Sequence, residues 1–544
     1  MAPMTARRRA APALLFSVLL APFSPCQEPP AEAGNPRQEI LPRTAAERSG
    51  YRATTRYEEA AAFLSGLSGL SHGDRVTRIE GKGKSTEGRE LLVARASLVE
   101  PPPDALRILV TANIHAGEVE GKEALLVLLR EIATGEHEDV LRGAVLWLLP
   151  IYNADGNEKI DPLNRVEQNG PDQGVGRREN GAGLDLNRDA IKAEAEETKA
   201  LLALFSEVDP DLYMDLHTTN GSYHGYHLTY APSLSTNVDP GVADLSRSLL
   251  DDVAKAMAGQ RFSVFDYGNF ETRGVNDVGA GQAPSGVRGW WTYDHRARYV
   301  TNCFGLRNRI SVLSESYSYC DFETRIAVTR AFVLAVARTA IRRAEELRKA
   351  FDLADRRLTS MSEPIWFGSD TSYAAPERMD VLVGEVDDID VPGTPRKRHA
   401  RRDVQRREPM PVFRAFRSRK QTRLPDAWAV PPPPQAVLAN LRAHGVSFEL
   451  LAEPAARRVL RFSVTDRKQG RRPYQGHREV RLIGSWSEPE EATLPAGTAI
   501  VPSRQRLGRL AAQLLSPESE DSLITWEILP QQGSSAPVLA ILGN

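Results

Sequence analysis

From Tyr51 to about Phe351 the chain alternates short apolar runs with helical stretches, and this alternation restricts the fold more than any other feature. "RILVTANI", "AVLWLLPIYN", "DLYMDLH" and "RISVLSESY" are of strand length and largely apolar along their whole run. "KEALLVLLREI", "EETKALLALFSEV" and "LSRSLLDDVAKAMA" repeat their apolar residues at helical spacing, and "TRAFVLAVARTAIRRAEELRKAF" reads as one long helix. A strand that is apolar on both faces must be covered on both faces, and the intervening helices supply that cover. The expectation is an α/β fold with a mixed, largely buried central sheet flanked by helices.

The texture changes after about Leu358. Val381, Leu382 and Val383 suggest strands. Arg396 to Arg423 is crowded with Arg and Lys, which reads as a solvated loop face in preference to a contact for an anionic polymer, and "AVPPPPQ" reads as a proline linker or turn. From Ala436 onward, "VSFELL", "RVLRFSVTD", "EVRLIGSW", "GTAIVP" and "ITWEIL" are strand-like around one helix, "RLGRLAAQLL". The expected organisation is a signal peptide over 1–26, a disordered lead over 27–50 and a catalytic domain over 51–360. A basic and Pro-rich connection over 361–435 and a smaller β-rich C-terminal domain over 436–544 follow. No internal repeat is found.

The signal-peptide expectation rests on Arg7 to Arg9, followed by an apolar core from Ala10 to Phe23 that falls short of the ~20 residues a membrane span needs. It implies a secreted or periplasmic protein without a transmembrane span. Cys26 stands where a lipid-modified cysteine would begin a mature chain, although "FSPC" departs from the usual small-residue lead-in. With Cys303 and Cys320 it completes a set of three cysteines, too few for a disulfide framework; a Cys303–Cys320 bridge stays open. A formal net charge of −2 over 544 residues argues against a dedicated nucleic-acid binder.

Reactive side chains sit at the ends of the strands. "TANIHAGE", "LLPIYNADG", "YMDLHTTN" and "SVLSESYS" each pass from apolar to polar where a strand would stop. Ligands of open α/β sheets bind beyond the carboxyl ends of the strands, so His115, Glu118, His217 and Glu315 are placed to meet there. Two His and one Glu form a recurrent ligand set for catalytic zinc. Gly117 is expected to let the backbone bend tightly between His115 and Glu118. A bare H-x-x-E is a weak signal on its own, because Glu118 is equally explained by the favourable dipole of a helix start.

"NIHAGEVEG", "LPIYNADGNE", "GLDLNRD", "DLHTT" and "LSES", in that order, resemble the zinc metallocarboxypeptidases of the carboxypeptidase A type, and "GKGKSTEGRELLV" resembles that family's opening strand region. The likeness covers roughly Tyr51 to Phe351. It implies one zinc ion per chain on His115, Glu118 and His217, with Glu315 as general base and acid. It makes Asn187 and Arg188 the pair that holds a substrate's terminal carboxylate, a task suited to a planar guanidinium, and Asp185 the carboxylate that orients His115. Arg178, with Arg177 as the competing choice, is assigned to the scissile carbonyl. Tyr293, with Tyr299 competing, is assigned to closure on substrate.

The pattern departs from that family in places. Gly117 stands where the digestive enzymes carry Arg. Val300 and Thr301 are expected near the specificity pocket and suggest a neutral side chain. His224 and His227 form an H-x-x-H, read as loop histidines facing solvent or substrate in preference to a second metal site.

The implied activity is that of a secreted zinc metallocarboxypeptidase, whose partner is a peptide with a free C-terminal carboxylate and whose nucleophile is zinc-activated water. Two rivals remain at this point: a zinc amidohydrolase acting on cell-wall peptides or acyl-amino acids, and a peptidase-like binding module without turnover.

Overall fold

The computed structural model describes residues 41–219, 221–270, 288–531 and 533–543. The signal-peptide segment and Cys26 lie outside them.

Its first sheet is built from β1 (Val76–Ile79), β2 (Val93–Ala96), β3 (Leu106–Ala112), β4 (Ala144–Leu149), β5 (Leu212–Thr219), β6 (Leu228–Pro232) and β7 (Val264–Asp266). After a short β8 (Trp290–Trp291) comes its last strand, β9 (Ile310–Tyr317). The spatial order is β1-β2-β4-β3-β5-β9-β6-β7. The centre is parallel, with β4, β3, β5 and β9 running side by side, while β1, β2 and β6 pair antiparallel. This is the mixed, buried sheet expected from the sequence. All eight residues of β5 are buried, which is why its run shows no polar alternation.

Both faces of the sheet are covered. On one face, Tyr213 of β5 meets Phe304 edge-on, and Phe304 stacks on Phe205 of the helix Glu196–Val208. Residues of opposite parity point the other way, where the helix Glu120–Ala133 lies so close that a Cβ on Gly121 would sit 2.9 Å from the Leu216 Cβ and 3.0 Å from the Ala112 Cβ. Asp215 and His217 share the face of Tyr213, because side chains alternate along a strand.

Two expectations are corrected and one open question is answered. The lead is ordered from Leu41 onward: Thr44 and Glu47 form a capping box on the helix Ala45–Arg48, and Glu47 receives two 2.7 Å hydrogen bonds from Arg130. The connecting region is strand as well as loop. β10 (Trp366–Tyr373) pairs with β13 (Phe416–Arg423), and β11 (Glu377–Asp390) forms a long hairpin with β12 (Lys397–Phe413). The basic run is solvated, but acidic partners such as Glu385 for Arg402 and Glu377 for Arg414 hold it as sheet. Charge on both faces hid its two-residue period. Finally, Cys303 and Cys320 are buried free thiols. They lie beyond opposite ends of β9, whose eight residues at about 3.3 Å each hold them apart.

The C-terminal part is β-rich as expected: β14 (Ala427–Val430), β15 (Glu449–Leu450), β16 (Ala455–Gln469), β17 (Val480–Trp486), β18 (Glu490–Leu494), β19 (Ala499–Pro502) and β20 (Ser535–Ile541). They form a sheet in the order β15-β19-β14-β20-β16-β17, with β18 beside β16. Leu41–Asn544 is one compact unit, and one extended apolar cluster runs from Tyr57 through the first sheet to Ala540, with smaller clusters beside it.

Candidate metal centre

The chain leaves β3 through a bend at Asn113, whose φ of +63° lies in the left-handed region. Asn tolerates that region better than most residues, and its side-chain amide donates to the carbonyls of Ala116 (3.1 Å) and Glu118 (3.2 Å), fixing the loop that carries His115. Gly117 therefore acts through space and not through backbone freedom, a correction to the expectation. A Cβ there would lie 2.7 Å from Cδ of Arg165 and 3.0 Å from the Gly176 carbonyl.

His115, Glu118 and His217 are all buried, and their candidate ligand atoms lie within 4.8 Å of one another. The two carboxylate oxygens of Glu118 are divided between the imidazoles. Oε1 is 3.0 Å from Nδ1 of His115, and Oε2 is 2.9 Å from Nδ1 of His217. Each ring turns its other nitrogen to a second carboxylate: Nε2 of His115 lies 3.1 Å from Asp185, and Nε2 of His217 lies 2.6 Å from Asp215. Carboxylates behind the rings fix tautomer and orientation, leaving both Nδ1 atoms directed at one point. This donor set fits zinc, which takes N and O ligands and keeps a position open in catalytic sites.

The electrostatics match a cation site. Although burial opposes it, the His115 ring and Arg165 hold Glu118 well below the usual carboxylate range. Burial likewise opposes the charging of His217, yet Asp215 and Glu118 raise it well above an ordinary histidine. The carboxylates of Glu118, Asp185 and Asp215 around the two imidazoles thus favour positive charge at this point. Burial pushes Glu315 up to about 8, against the pull of His217.

The structure brings most of the expected residues to this rim. Asp185 caps the short turn Leu186–Arg188, accepting from the Asn187 backbone N–H at 2.9 Å. Asn187 Oδ1 accepts from the Val300 N–H at 2.9 Å. The Arg188 guanidinium lies 4.2 Å from the centroid of the Tyr299 ring. Tyr293 donates to Asn302 at 3.2 Å and packs edge-on against Tyr299 and Tyr267. Val300 and Thr301 are buried in the following short helix. Arg177 is solvated and pairs with Glu179.

Arg178 donates twice to Asp185, at 3.0 and 2.8 Å, with Nη1 3.8 Å from Glu118. Arg165, which the sequence did not single out, comes closer: it donates to Glu118 Oε1 at 2.9 Å and to the Thr218 carbonyl at 3.0 Å. A cleft of about 200 Å³ opens here, lined by His115, Gly117, Arg165, Gln168, Arg178 and Arg396 among others. Asp215 was also missed, although its position two residues before His217 on a strand was a usable signal. No local pattern marked Arg165.

The expectation fails for His224, which does not face solvent, while His227 stays partly exposed; among the described residues neither belongs to a group able to hold a metal. His224 is buried, with ring centroids 3.9 Å from Tyr317, and its Nδ1 accepts from the Tyr226 N–H; His227 meets Ser263. Among the described residues the other group able to hold a metal is Glu131, Glu136 and His137, where Glu131 already pairs with His137 and Arg330.

Residues 69–317 match the family model described as zinc carboxypeptidase, an interval that contains both imidazoles, both glutamates and the Asp185–Arg188 turn. These residues belong to the zinc carboxypeptidase family. The domain is thereby a hydrolase of peptide bonds. Carboxypeptidase 2 of Trichophyton tonsurans is 23% identical over 486 residues, spanning 84% of this chain and 81% of its own length. Human carboxypeptidase D is 32% identical over 158 residues, 24% of this chain and 11% of that protein. Among solved structures, a metallo-carboxypeptidase from Pseudomonas aeruginosa aligns at 18% identity and a TM-score of 0.38, covering 55% of this chain and 71% of that one. Within the zinc carboxypeptidase domain, the match ends two residues beyond Glu315.

Proposed function

We propose that this chain is a secreted metallocarboxypeptidase that hydrolyses the last peptide bond of a peptide with a free C-terminal carboxylate. The observation that carries the reading is the convergence of His115, Glu118 and His217 on one point, with Glu315 beside it in the neighbouring strand.

His115 Nδ1, His217 Nδ1 and the Glu118 carboxylate would hold one zinc ion. When bound, zinc supplies Lewis acidity and lowers the pKa of a water at the open position. Glu315 takes the proton of the attacking water and returns it to the leaving amine. Burial pushes Glu315 up to about 8, against the pull of His217, and a carboxyl raised in this way suits delivery of the proton to the leaving amine.

Arg165 is better placed than Arg178 to meet the charge that grows on the carbonyl oxygen, since it already reaches Glu118 whereas Arg178 is spent on Asp185. Arg188, with Asn187, grips the terminal carboxylate, and Tyr293 and Tyr299 wall that side. Export is supported by the basic-then-apolar start of the chain.

The test is hydrolysis of blocked dipeptides, their C-terminal amides and muropeptides by the zinc-loaded chain. Cleavage of the free acids over the amides supports the reading. Preference for muropeptides transfers the assignment to a cell-wall amidohydrolase.

A further inference from the structure

The hairpin turn between β16 and β17 reaches across to the Asp185–Arg188 turn and holds it at two points. Tyr474 OH accepts from Arg188 Nε at 2.9 Å, and Gln475 Oε1 accepts from the Asp185 backbone N–H at 2.9 Å. Both belong to the C-terminal β-rich region, outside residues 69–317. The turn is anchored in place by His477, 2.9 Å from Glu194, and by stacking of Tyr474 on Trp526. Glu479, at the foot of the turn, pairs with the buried Arg298.

Tyr474 and His477 exchange backbone hydrogen bonds of 2.7 and 3.0 Å around Gln475 and Gly476, whose φ values are +49° and +82°. Two central residues with positive φ are the hallmark of a type I′ hairpin turn, where Asn or Gly normally comes first. A Gln there is strained by about 1 kcal/mol. Strain held at one residue whose side chain reaches a site is a pointer to function.

The consequence for Arg188 is geometric. A guanidinium offers a carboxylate two bidentate edges, Nε with Nη2 or Nη1 with Nη2. Tyr474 occupies Nε, and one Nη1 hydrogen goes to the Asn187 carbonyl at 2.8 Å. Nη1 also lies 3.9 Å from Asp185 Oδ2, beyond hydrogen-bond reach, and among the described residues Nη2 has no hydrogen-bond partner, so the Nη1–Nη2 edge is the one left to present. The Tyr474 hydroxyl accepts from Arg188, and its own O–H donates to no described residue, which adds a donor beside the guanidinium.

We propose that Tyr474 and Gln475 are positioning residues for the substrate carboxylate: the C-terminal region completes the terminal-residue pocket by selecting which edge of Arg188 faces it. The inference rests on Arg188 as the carboxylate anchor.

The experiment compares wild type, Tyr474→Phe, Gln475→Gly and Arg188→Ala, all full-length and zinc-loaded, on a blocked dipeptide acid and its C-terminal amide. Loss of a hydrogen bond to a charged group corresponds to about a ten- to hundredfold effect. Tyr474→Phe is expected to raise KM for the acid by that factor, with kcat changed less than threefold and the acid-to-amide preference narrowed. Gln475→Gly relieves the backbone strain, so it should raise KM without lowering Tm. A Tyr474→Phe KM within twofold of wild type, while Arg188→Ala raises KM strongly, overturns this inference alone. An unchanged KM in Arg188→Ala overturns the anchor reading itself. A KM rise in either hairpin variant that only tracks a fall in Tm or zinc content also overturns the proposal, because it marks a purely structural contact.

Discussion

His217 and Glu315 are direct register partners across the parallel pair β5–β9. Partners in register point to the same face of the sheet, so one strand carries the proposed metal ligand and its neighbour the proposed base, on a frame whose spacing is set by backbone hydrogen bonds. Replacing Glu315 by Gln keeps that frame and removes the proton acceptor. The expected outcome is a fall in kcat of about 10²- to 10⁴-fold with zinc content unchanged, read by steady-state kinetics beside metal analysis. Full activity in this variant would remove Glu315 from the mechanism.

Asp215 lies 2.6 Å from His217 Nε2 and is completely buried. Asp215→Asn should weaken zinc binding by about 10- to 100-fold, measured by competition with a chromophoric chelator. Stripping the metal from the wild-type chain should abolish hydrolysis and lower Tm, and one equivalent of zinc should restore both.

Arg165 and Arg178 are separable by mutation. Arg165→Ala is expected to reduce kcat by about 10²- to 10³-fold, the cost of losing one donor to a developing oxyanion. Arg178→Ala should act mainly on the Asp185–His115 pair, and so on zinc affinity. Gly117→Ala, whose methyl would press on the Arg165 side chain, should reproduce part of the Arg165→Ala loss with zinc retained. If Arg178→Ala carries the larger kcat effect, the two roles must be exchanged.

Stability should fall on acidification. Burial, reinforced by nearby Arg401 and Arg307 respectively, lowers His224 and His444 to about 3. An unfolded chain takes up a proton on each near pH 6.5, whereas the folded chain stays neutral until about pH 3, so stability is lost as pH falls between those limits. The loss is roughly 2 kcal/mol per histidine from pH 6.5 to pH 5. Thermal melts at pH 8, 6.5 and 5 should show a drop confined to the acid side, and His444→Gln should flatten it. A Tm independent of pH across this range would contradict the buried neutral state.

What could be read directly from the chain was local and periodic. Apolar runs without polar alternation fixed the covered sheet, and polar residues at the ends of those runs marked His115, Glu118, His217 and Glu315, because a rigid strand end is where side chains can be aimed. Asp215 was within reach of the same logic, being two positions from His217. Of the long hairpin, Val381 to Val383 in β11 carried a strand signal, but the charged β12 was hidden, since ion pairs on solvated faces erase the hydrophobic period by which strands are recognised.

The order of residues determined the sheet and singled out the residues proposed as ligands and base. Only the tertiary structure decided that Arg165 stands nearer Glu118 than Arg178 does, and that Tyr474 and Gln475, nearly 300 positions downstream, grip the Asp185–Arg188 turn. Those contacts depend on where loops travel and on which surfaces share a core. Sequence spacing carries no record of either, because long-range packing is a sum of many weak contacts and no single local pattern encodes it.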